Sequence, residues 1–226
     1  MALILLICRA QVAQWVGSQT CSWKVAGSIP SSANLCPGAR HFTLSCSGGM
    51  SLYLQMNRAP TSGYEVDVGS RTTHHVMYPE TAQDVDNITS LVLLPFKILD
   101  LQWLPGAVTT GTNITFSYTN LRPKINANKD LVKVVNPAFM KYIHEVWLDY
   151  QGSYPSTGFM ALILALHICD QVNVYGFGKD RDGNWHHYFE PLAYKNLGTG
   201  PHPGDYEYNV TMKLSEINKL QIYKGW

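Results

Sequence analysis

The stretch YPSTGFMALILALHICDQVNVYGF, residues 154–177, predicts a loop, a buried helix and a buried strand in succession. Residues 159–169 are apolar at nearly every position, which is typical of a helix that is surrounded by core on all sides. Residues 172–177 form a short apolar and aromatic run, which favours a strand. The turn Ser156-Thr157-Gly158 opens the helix. Its hydroxyls and free backbone N–H groups can bind an anion, although an ordinary N-cap is the simpler interpretation.

Short apolar runs alternate with helical stretches on both sides of this segment. Residues 90–96 and 131–135 predict strands, and residues 97–104 predict the start of a helix. Asn136-Pro137 supplies an N-cap and a first helical position, and apolar residues at helical spacing predict a helix that runs to about Tyr150. This alternation predicts an α/β fold with a mostly parallel, twisted sheet flanked by helices.

The composition of the chain excludes several classes of protein. Of its 226 residues, 46% are hydrophobic and only 15% are charged, so the chain is a packed globular protein and not a disordered one. The 17 Lys and Arg residues nearly balance the 16 Asp and Glu residues, which leaves a net charge of +1. Because no overall field attracts a polyanion, the sequence predicts no nucleic-acid partner.

Residues 1–50 differ from the rest of the chain. They contain no acidic residue and include four of the five cysteines. The apolar run at residues 2–8 is much shorter than the ~20 residues that cross a bilayer, and no basic segment precedes it. Residues 9–50 show no sustained periodicity, which predicts loop or poorly ordered chain. We therefore divide the chain into an atypical N-terminal segment, residues 1–50, and a folded domain, residues 51–226.

Histidines are the first candidates for chemistry. His74-His75 and His186-His187 are adjacent pairs, which are poor ligands for one metal ion, and no HExxH or CxxC spacing accompanies them. A metal-dependent hydrolase is therefore a remote alternative. His202 lies in a Gly/Pro-rich loop ahead of Glu207, and a histidine with an ordinary pKa of ~6.5 can act as a general base at neutral pH. A solvent-exposed loop histidine is the simpler interpretation of that segment alone.

Four segments, taken in order, resemble the sialylmotifs of the animal sialyltransferases. Residues 56–75, MNRAPTSGYEVDVGSRTTHH, resemble the second half of the large sialylmotif, and residues 136–178 resemble the small one. Residues 187–190, HYFE, resemble the third motif, and His202 with Glu207 resembles the very small motif. Three segments are similar in sequence to β-galactoside α-2,3-sialyltransferases that act on Galβ1-3GalNAc. They are HHVMYPE, LVLLPFKILDL and GNWHHYFE.

This resemblance implies both a fold and a reaction. The fold is a glycosyltransferase-A-like α/β fold. The reaction is an inverting transfer of sialic acid from CMP-sialic acid to the 3-hydroxyl of a terminal β-galactose on glycoproteins or glycolipids, with no metal and no other cofactor. The family works on the lumenal side of the Golgi membrane, usually behind an N-terminal anchor. Sialic acid leaves through an oxocarbenium-like transition state, so such an enzyme must deprotonate the acceptor hydroxyl and neutralise the departing phosphate.

The resemblance also implies roles for individual residues. His202 is the expected general base, and His187 is expected to stabilise the leaving phosphate. His74, His75, His144 and His167 receive structural interpretations. The remaining assignments are donor binding by Asn57, Ser156, Thr157, Gly158 and Tyr118, and acceptor binding by Tyr154 and Trp185.

The sequence also departs from the family. The first half of the large sialylmotif, with its cysteine, its Gly-Asn-Ser-Gly turn and the strand before it, has no counterpart upstream of Leu52. That half normally supplies the disulfide partner of the cysteine that matches Cys169, and Cys46 lies closer to Asn57 than the family's cysteine does. We therefore expect an N-terminally truncated sheet, which only residues 43–47 or 52–55 could complete.

Two further expectations follow from the resemblance. The truncation predicts little activity for the chain alone, and an inactive fragment that binds nucleotide or a partner protein is the alternative function. Entry into the secretory pathway predicts N-glycosylation at the sequons that begin at Asn87, Asn113 and Asn209.

Overall fold

The computed structural model describes residues 5–9 and 51–223, which together form one seven-stranded sheet with helices around it. The strands are β1 (Leu5–Arg9), β2 (Ser51–Met56), β3 (His74–Met77), β4 (Ser90–Leu93), β5 (Val132–Val134), β6 (Gln171–Tyr175) and β7 (Gln221–Tyr223). The α-helices are α1 (Glu65–Val68), α2 (Ile98–Ala107), α3 (Pro137–Tyr142), α4 (Thr157–Ile168) and α5 (Gly204–Glu216). A π-helix, Ile143–Trp147, continues α3, and 3₁₀ turns lie at Pro79–Thr81 and Lys129–Leu131.

The order of the strands across the sheet is β5-β4-β3-β2-β1-β6-β7. Strands β2 to β5 pair in parallel, as do β6 and β7, whereas β1 is antiparallel to both of its neighbours. The α/β fold with a mostly parallel sheet is therefore confirmed.

Strand β1 corrects the expectation for the N-terminal segment. Leu6 lies opposite Leu54 of β2 and Val174 of β6. The sequence analysis predicts no strand here, and loop or poorly ordered chain from residue 9 onward, yet Leu5–Arg9 completes the backbone hydrogen bonds of two strands that would otherwise each have an unpaired edge. The sheet is thus continuous between β2 and β6. Residues 5–9 complete it, in place of the segments 43–47 and 52–55 that the sequence analysis considered. Residues 1–4 and 10–50 lie outside the described residues.

Helix α4 lies in the core, as its sequence predicts. Every side chain from Thr157 to Ala165 is buried. The hydroxyl of Ser156 accepts a hydrogen bond from the N–H of Phe159 at 3.1 Å, which confirms the N-cap. Alternate residues of β4 reach the two faces of the sheet: Val92 packs in the same cluster as α4, and Leu93 packs in a second cluster with α2.

The helix predicted after Asn136-Pro137 begins as expected and ends early. Asn136 caps it by accepting a hydrogen bond from the N–H of Ala138 at 2.9 Å. The helix then changes to the π form, in which the N–H of Leu148 binds the carbonyl of Ile143. Asp149 has φ 47° and Tyr150 has φ 60°, a left-handed conformation that stops a right-handed helix before Tyr150. Within the described residues, no helix is long and apolar enough to span a membrane.

Candidate functional site

A cavity of about 840 Å³ lies at the carboxyl ends of the parallel strands. Asn57 directly follows β2, Tyr78 directly follows β3 and Phe96 follows β4 by a short turn. Ligands of open α/β sheets bind at this edge, because the loops that follow parallel strands converge there. The residues that line the cavity are Met56, Asn57, Arg58, Ala59, Tyr78, Glu80, Thr81, Phe96, Lys97, Tyr118, Thr119, Met140, Tyr154, Thr157, Gly158, His187, Phe189, Glu190, Gly198, Thr199 and His202.

His202 is held in one tautomer at the cavity wall. Its Nδ1 lies 3.1 Å from the carbonyl oxygen of Tyr154, and the two rings pack edge to face with centroids 4.8 Å apart. Because a carbonyl only accepts hydrogen bonds, Nδ1 must carry the proton of the neutral ring, which leaves a basic lone pair on Nε2. Burial lowers the pKa of His202, although the bond to the Tyr154 carbonyl acts in the opposite direction. The ring is therefore a neutral base at pH 7.

A threonine that the sequence analysis did not identify fixes the backbone of this loop. The Thr199 hydroxyl donates to the carbonyl of His202 at 2.8 Å and accepts from the N–H of Gly204 at 3.2 Å. Both bonds are local, but they depend on a turn geometry that the spacing of the residues does not reveal. They hold His202 at the start of α5.

His187 is paired with a carboxylate. Its Nδ1 lies 2.5 Å from Oε2 of Glu190, and its ring stacks on Phe189 with centroids 5.0 Å apart. A carboxylate accepts this hydrogen bond, so Nδ1 is again the protonated nitrogen. Burial lowers the pKa of His187, and the hydrogen bond to Glu190 opposes that shift. Such a pair can stabilise a proton or a positive charge on the imidazole when an anion approaches.

Ser156 does not line the cavity, although its neighbours do. It is fully buried, and its hydroxyl donates to Oε2 of Glu207 at 2.6 Å while it accepts from the N–H of Phe159. The hydroxyl proton and the backbone N–H of Ser156 are therefore both bound to Glu207, and the assignment of Ser156 to the donor stays a prediction. Thr157 and Gly158 lie on the cavity wall, where their assignment stays a prediction.

Trp185 also lies apart from the cavity. It is 4% exposed and packs edge to face against Phe177 and Tyr208. This position is that of a core side chain, so the structure does not support an acceptor contact for Trp185. Tyr154, the other aromatic residue with that assignment, does line the cavity.

Asn57 is fixed by contacts from the adjacent strand and loop. Its φ of 52° turns the chain after β2, and its carbonyl receives hydrogen bonds from His75 Nε2 at 2.6 Å and Gln83 Nε2 at 3.0 Å. The hydroxyl of Thr81 donates to its Oδ1 at 2.9 Å. Within residues 51–223, no partner binds its Nδ2, which can therefore donate to a ligand. His75 has the structural role that the sequence analysis gives it.

A cluster of charged residues supports the part of the cavity wall that Glu80 and Lys97 line. The ammonium of Lys97 lies 2.7 Å from Oε1 of Glu80 and 2.9 Å from Oδ1 of Asp100. It also lies 5.1 Å from the centroid of the Tyr118 ring, which is 70% exposed at the cavity edge. Burial, followed by the charge of Glu80, raises the pKa of Tyr118, so its hydroxyl stays protonated and can donate a hydrogen bond. Asp100 is three residues from Lys97, a local spacing that did not attract attention, whereas Glu80 is 17 residues away and nothing local relates it to Lys97.

Aromatic rings form a row along the same wall. Tyr78 contacts Phe96 and Phe96 contacts Tyr154, with centroids 5.4 and 5.6 Å apart, and His202 ends the row beside Tyr154. Aromatic faces cover the apolar C–H surfaces of sugars, and the hydroxyls of Tyr78 and Tyr154 can bind sugar hydroxyls. The row therefore leads from Tyr78 to the candidate base.

The remaining assignments concern positions outside the cavity. Cys169 follows α4 and is disulfide-bonded, and its partner is not among the side chains that the structure describes. The glycosylation candidates Asn87, Asn113 and Asn209 are all exposed. Within residues 5–9 and 51–223, no group of three or more His, Cys, Asp or Glu side chains is arranged to hold a metal ion.

The order of these elements matches a known family of enzymes. Residues 51–219 match the model of glycosyltransferase family 29, the sialyltransferases. The chain belongs to this family. The match covers every residue that lines the cavity, and it agrees with the resemblance that the four sialylmotif segments show.

Curated relatives in family 29 are similar over the same region. The chain is 51% identical over 174 residues to the mouse CMP-N-acetylneuraminate-beta-galactosamide-alpha-2,3-sialyltransferase 1. The aligned residues cover 76% of this chain and 51% of the relative. The chain is 48% identical, with the same coverage, to the human enzyme of that name, and 49% identical to mouse alpha-2,3-sialyltransferase 2. The chain spans about half the length of the curated relatives it matches.

A solved family 29 structure has the same fold. The crystal structure of a mammalian sialyltransferase in complex with Gal-beta-1-3GalNAc-ortho-nitrophenol superimposes with a TM-score of 0.70 at 48% sequence identity. The superposition covers 76% of this chain and 60% of that chain.

Proposed function

We propose that this chain transfers sialic acid from CMP-sialic acid to the 3-hydroxyl of a terminal β-galactose, with Galβ1-3GalNAc glycans on glycoproteins or glycolipids as acceptors. The observation that carries the proposal is the hydrogen bond from His202 Nδ1 to the Tyr154 carbonyl. It leaves a basic nitrogen beside an aromatic row that suits a sugar. Membership of family 29 and the name of the structural relative support the choice of substrates.

His202 acts on the acceptor in this proposal. Its Nε2 accepts the proton of the galactose 3-hydroxyl as the oxygen attacks the anomeric carbon of sialic acid. Attack on the face opposite the nucleotide inverts the configuration at that carbon. The Tyr154 carbonyl stabilises the imidazolium that forms, because the bond from Nδ1 becomes charge-assisted when the ring gains a proton.

His187 acts on the leaving group. As the bond between sialic acid and CMP breaks, negative charge grows on the phosphate, and the imidazole paired with Glu190 binds or protonates it. The Tyr118 hydroxyl supplies a second hydrogen bond, and Asn57 with Thr157 and Gly158 holds the nucleotide. None of these steps assigns a task to a metal ion or a cofactor.

The proposal includes a compartment. We propose that the chain works on the lumenal side of the Golgi membrane, in contact with the glycoproteins that pass through; membership of family 29 and the exposed sequons support this part of the proposal. Immunofluorescence with a Golgi marker in the cells that express the chain tests this part separately from the chemistry.

The test of the reaction uses the whole chain expressed in a secretory host. It is incubated with CMP-sialic acid and Galβ1-3GalNAc-ortho-nitrophenol in EDTA, beside an acceptor that lacks the galactose 3-hydroxyl. The missing half of the large motif predicts little activity, but β1 closes the sheet between β2 and β6, so we expect an α-2,3-linked product with the complete acceptor and none with the deoxy acceptor. Activity that chelation abolishes would instead indicate a metal-dependent reaction, and binding of CMP without product would indicate a nucleotide-binding protein.

A further inference from the structure

Arg58 is a cavity residue to which neither the sialylmotif resemblance nor the mechanism gives a task. It follows Asn57 directly, its side chain is exposed, and it lines the cavity. One guanidinium nitrogen, Nη2, donates to the backbone carbonyl of Glu80 at 2.8 Å. This bond anchors one edge of the guanidinium to the wall and leaves its other N–H groups for a second partner.

The charges around the cavity distinguish Arg58 from the other cation there. Lys97 lies within 3 Å of the carboxylates of Glu80 and Asp100, so its charge is already balanced. The carboxylate of Glu190, which also lines the cavity, pairs with His187. Within the part of the chain that the structure describes, no carboxylate lies within 4.0 Å of a side-chain nitrogen of Arg58. Arg58 is therefore the lining cation whose charge remains uncompensated.

The backbone around Arg58 is joined to the loop that carries His187. The hydroxyl of Tyr188 donates to the carbonyl of Pro60, and the ring of Tyr188 packs edge to face on Tyr64 with centroids 4.8 Å apart. Arg58 and His187 thus lie on two segments that one hydrogen bond holds together. Charged groups on both segments can act on the same ligand.

We infer that Arg58 binds an anionic group of the nucleotide donor and so selects the charged donor over neutral nucleosides. The inference rests on the proposed function, because that function supplies a ligand with two anions: the phosphate and the carboxylate of sialic acid. A planar guanidinium can bind either group through two parallel hydrogen bonds, which makes arginine well suited to both.

The experiment separates charge from structure at this position. Arg58→Gln keeps a polar side chain but removes the charge, and Arg58→Lys keeps the charge but loses the planar fork. Arg71→Gln is the matched control, because Arg71 is an exposed arginine that contacts the Tyr53 ring and does not line the cavity. Each protein is titrated calorimetrically with cytidine, CMP and CMP-sialic acid at low and at high salt.

We expect Arg58→Gln to weaken binding of the charged nucleotides by about five- to tenfold and to leave cytidine binding unchanged. The loss should shrink at high salt, since added ions screen the same charge. Equal losses for CMP and CMP-sialic acid identify the phosphate as the partner, whereas a loss for CMP-sialic acid alone identifies the carboxylate. In turnover, KM for the donor should rise while KM for the acceptor stays at the parent value.

Other outcomes overturn the inference. If Arg58→Gln binds all three ligands as the parent does, Arg58 takes no part in donor binding. If cytidine binding falls as much as CMP binding, Arg58 supports the loop and does not distinguish charged nucleotides from the neutral nucleoside. A parent chain that binds neither CMP nor CMP-sialic acid overturns the proposed function as well, so the two failures are distinguishable.

Discussion

Glu207 on α5 accepts hydrogen bonds from both donors of Ser156, the residue that caps α4. Its Oε1 accepts the backbone N–H at 2.7 Å and its Oε2 accepts the hydroxyl at 2.6 Å, and both residues are buried. The contact joins the first turns of two helices that are far apart in sequence. His202 precedes α5 and its Nδ1 donates to the carbonyl of Tyr154, so this bond and the two from Ser156 to Glu207 join the same pair of segments and position the candidate base.

The pairing makes stability depend on pH. Burial raises the pKa of Glu207 from 4.5 to about 7, although the hydrogen bonds from Ser156 act in the opposite direction. The folded protein therefore holds a proton on Glu207 under conditions in which the unfolded chain has lost it. The stabilising contribution of that proton is complete below about pH 4.5 and is lost as the pH rises through about 7.

The first prediction concerns Glu207→Gln, which imitates the protonated side chain and cannot titrate. The unfolding free energy of the parent minus that of the variant should fall by about 2 kcal/mol between about pH 5.5 and pH 8. Taking the difference between the two proteins removes the contribution of the histidines. Urea titrations measure it, with Glu216→Gln, an exposed position on the same helix, as the control. A difference that does not change with pH contradicts the assignment of a buried proton to Glu207.

The second prediction concerns the base. His202→Ala should lower kcat by about 10²–10⁴, because a positioned base contributes on that order, and should leave CMP affinity near the parent value. Retained CMP binding shows that the cavity still folds. Because burial lowers the pKa of His202 in the free protein, the acid limb of the parent's kcat/KM profile should have its midpoint below pH 6.5. Turnover by His202→Ala that equals the parent's contradicts the role.

The third prediction concerns the leaving group. His187→Ala should lower kcat by about 10²–10³ and also weaken CMP binding, because the same imidazole contacts the phosphate before and during bond cleavage. His186→Ala is the neighbouring control, since His186 binds Asp180 and does not line the cavity. Steady-state kinetics and CMP titrations compare the two variants. Equal effects of both substitutions indicate damage to the loop and not a contact with phosphate.

Local sequence patterns predict the parts of the fold that local forces determine. The all-apolar run of α4 favours burial on all sides, and Asn136 followed by Pro137 favours a helix start, so both are found where expected. Strand β1 escaped prediction because an apolar run of its length fits a strand, a loop or a helix end equally well. Its place and its reversed direction are decided by the unpaired edges of β2 and β6, which no local pattern reveals.

The candidate site, too, is predicted only in part. The resemblance selects His202, His187 and Asn57, which line one cavity, but it does not reveal that the Ser156 hydroxyl donates to Glu207. The resemblance assigns Trp185 to the acceptor sugar, whereas its packing against Phe177 and Tyr208 buries it. In both cases contacts that a local motif does not specify decide which groups the side chain meets.

The fourth prediction concerns glycosylation. Asn87, Asn113 and Asn209 are exposed, so an attached glycan meets no packed surface at any of them. A chain made in a secretory host should migrate faster on a gel after N-glycosidase treatment, and each Asn→Gln variant should remove one step of that shift. The same chain made in bacteria is the control. Unchanged mobility of the secreted chain contradicts passage through the secretory pathway.

The fifth prediction concerns β1, which pairs with β2 on one side and with β6 on the other. A chain that begins at residue 10 lacks this strand, and the N–H and C=O groups that face it lose their partners in the middle of the sheet. Unpaired buried peptide groups cost about 1–3 kcal/mol each, and an open strand edge promotes association between chains. Such a chain should therefore unfold at a lower urea concentration and aggregate.

The matched control is a chain that begins at residue 4 and keeps the whole of β1. Urea denaturation compares the stability of the two truncated chains with that of the parent, and light scattering compares their association. The control should behave like the parent, and a synthetic peptide with the sequence of residues 4–10 should restore solubility to the shorter chain by filling the vacated position. If the chain that begins at residue 10 is as stable and as monomeric as the parent, β1 contributes nothing to the sheet, and β2 and β6 must satisfy their edges in another way.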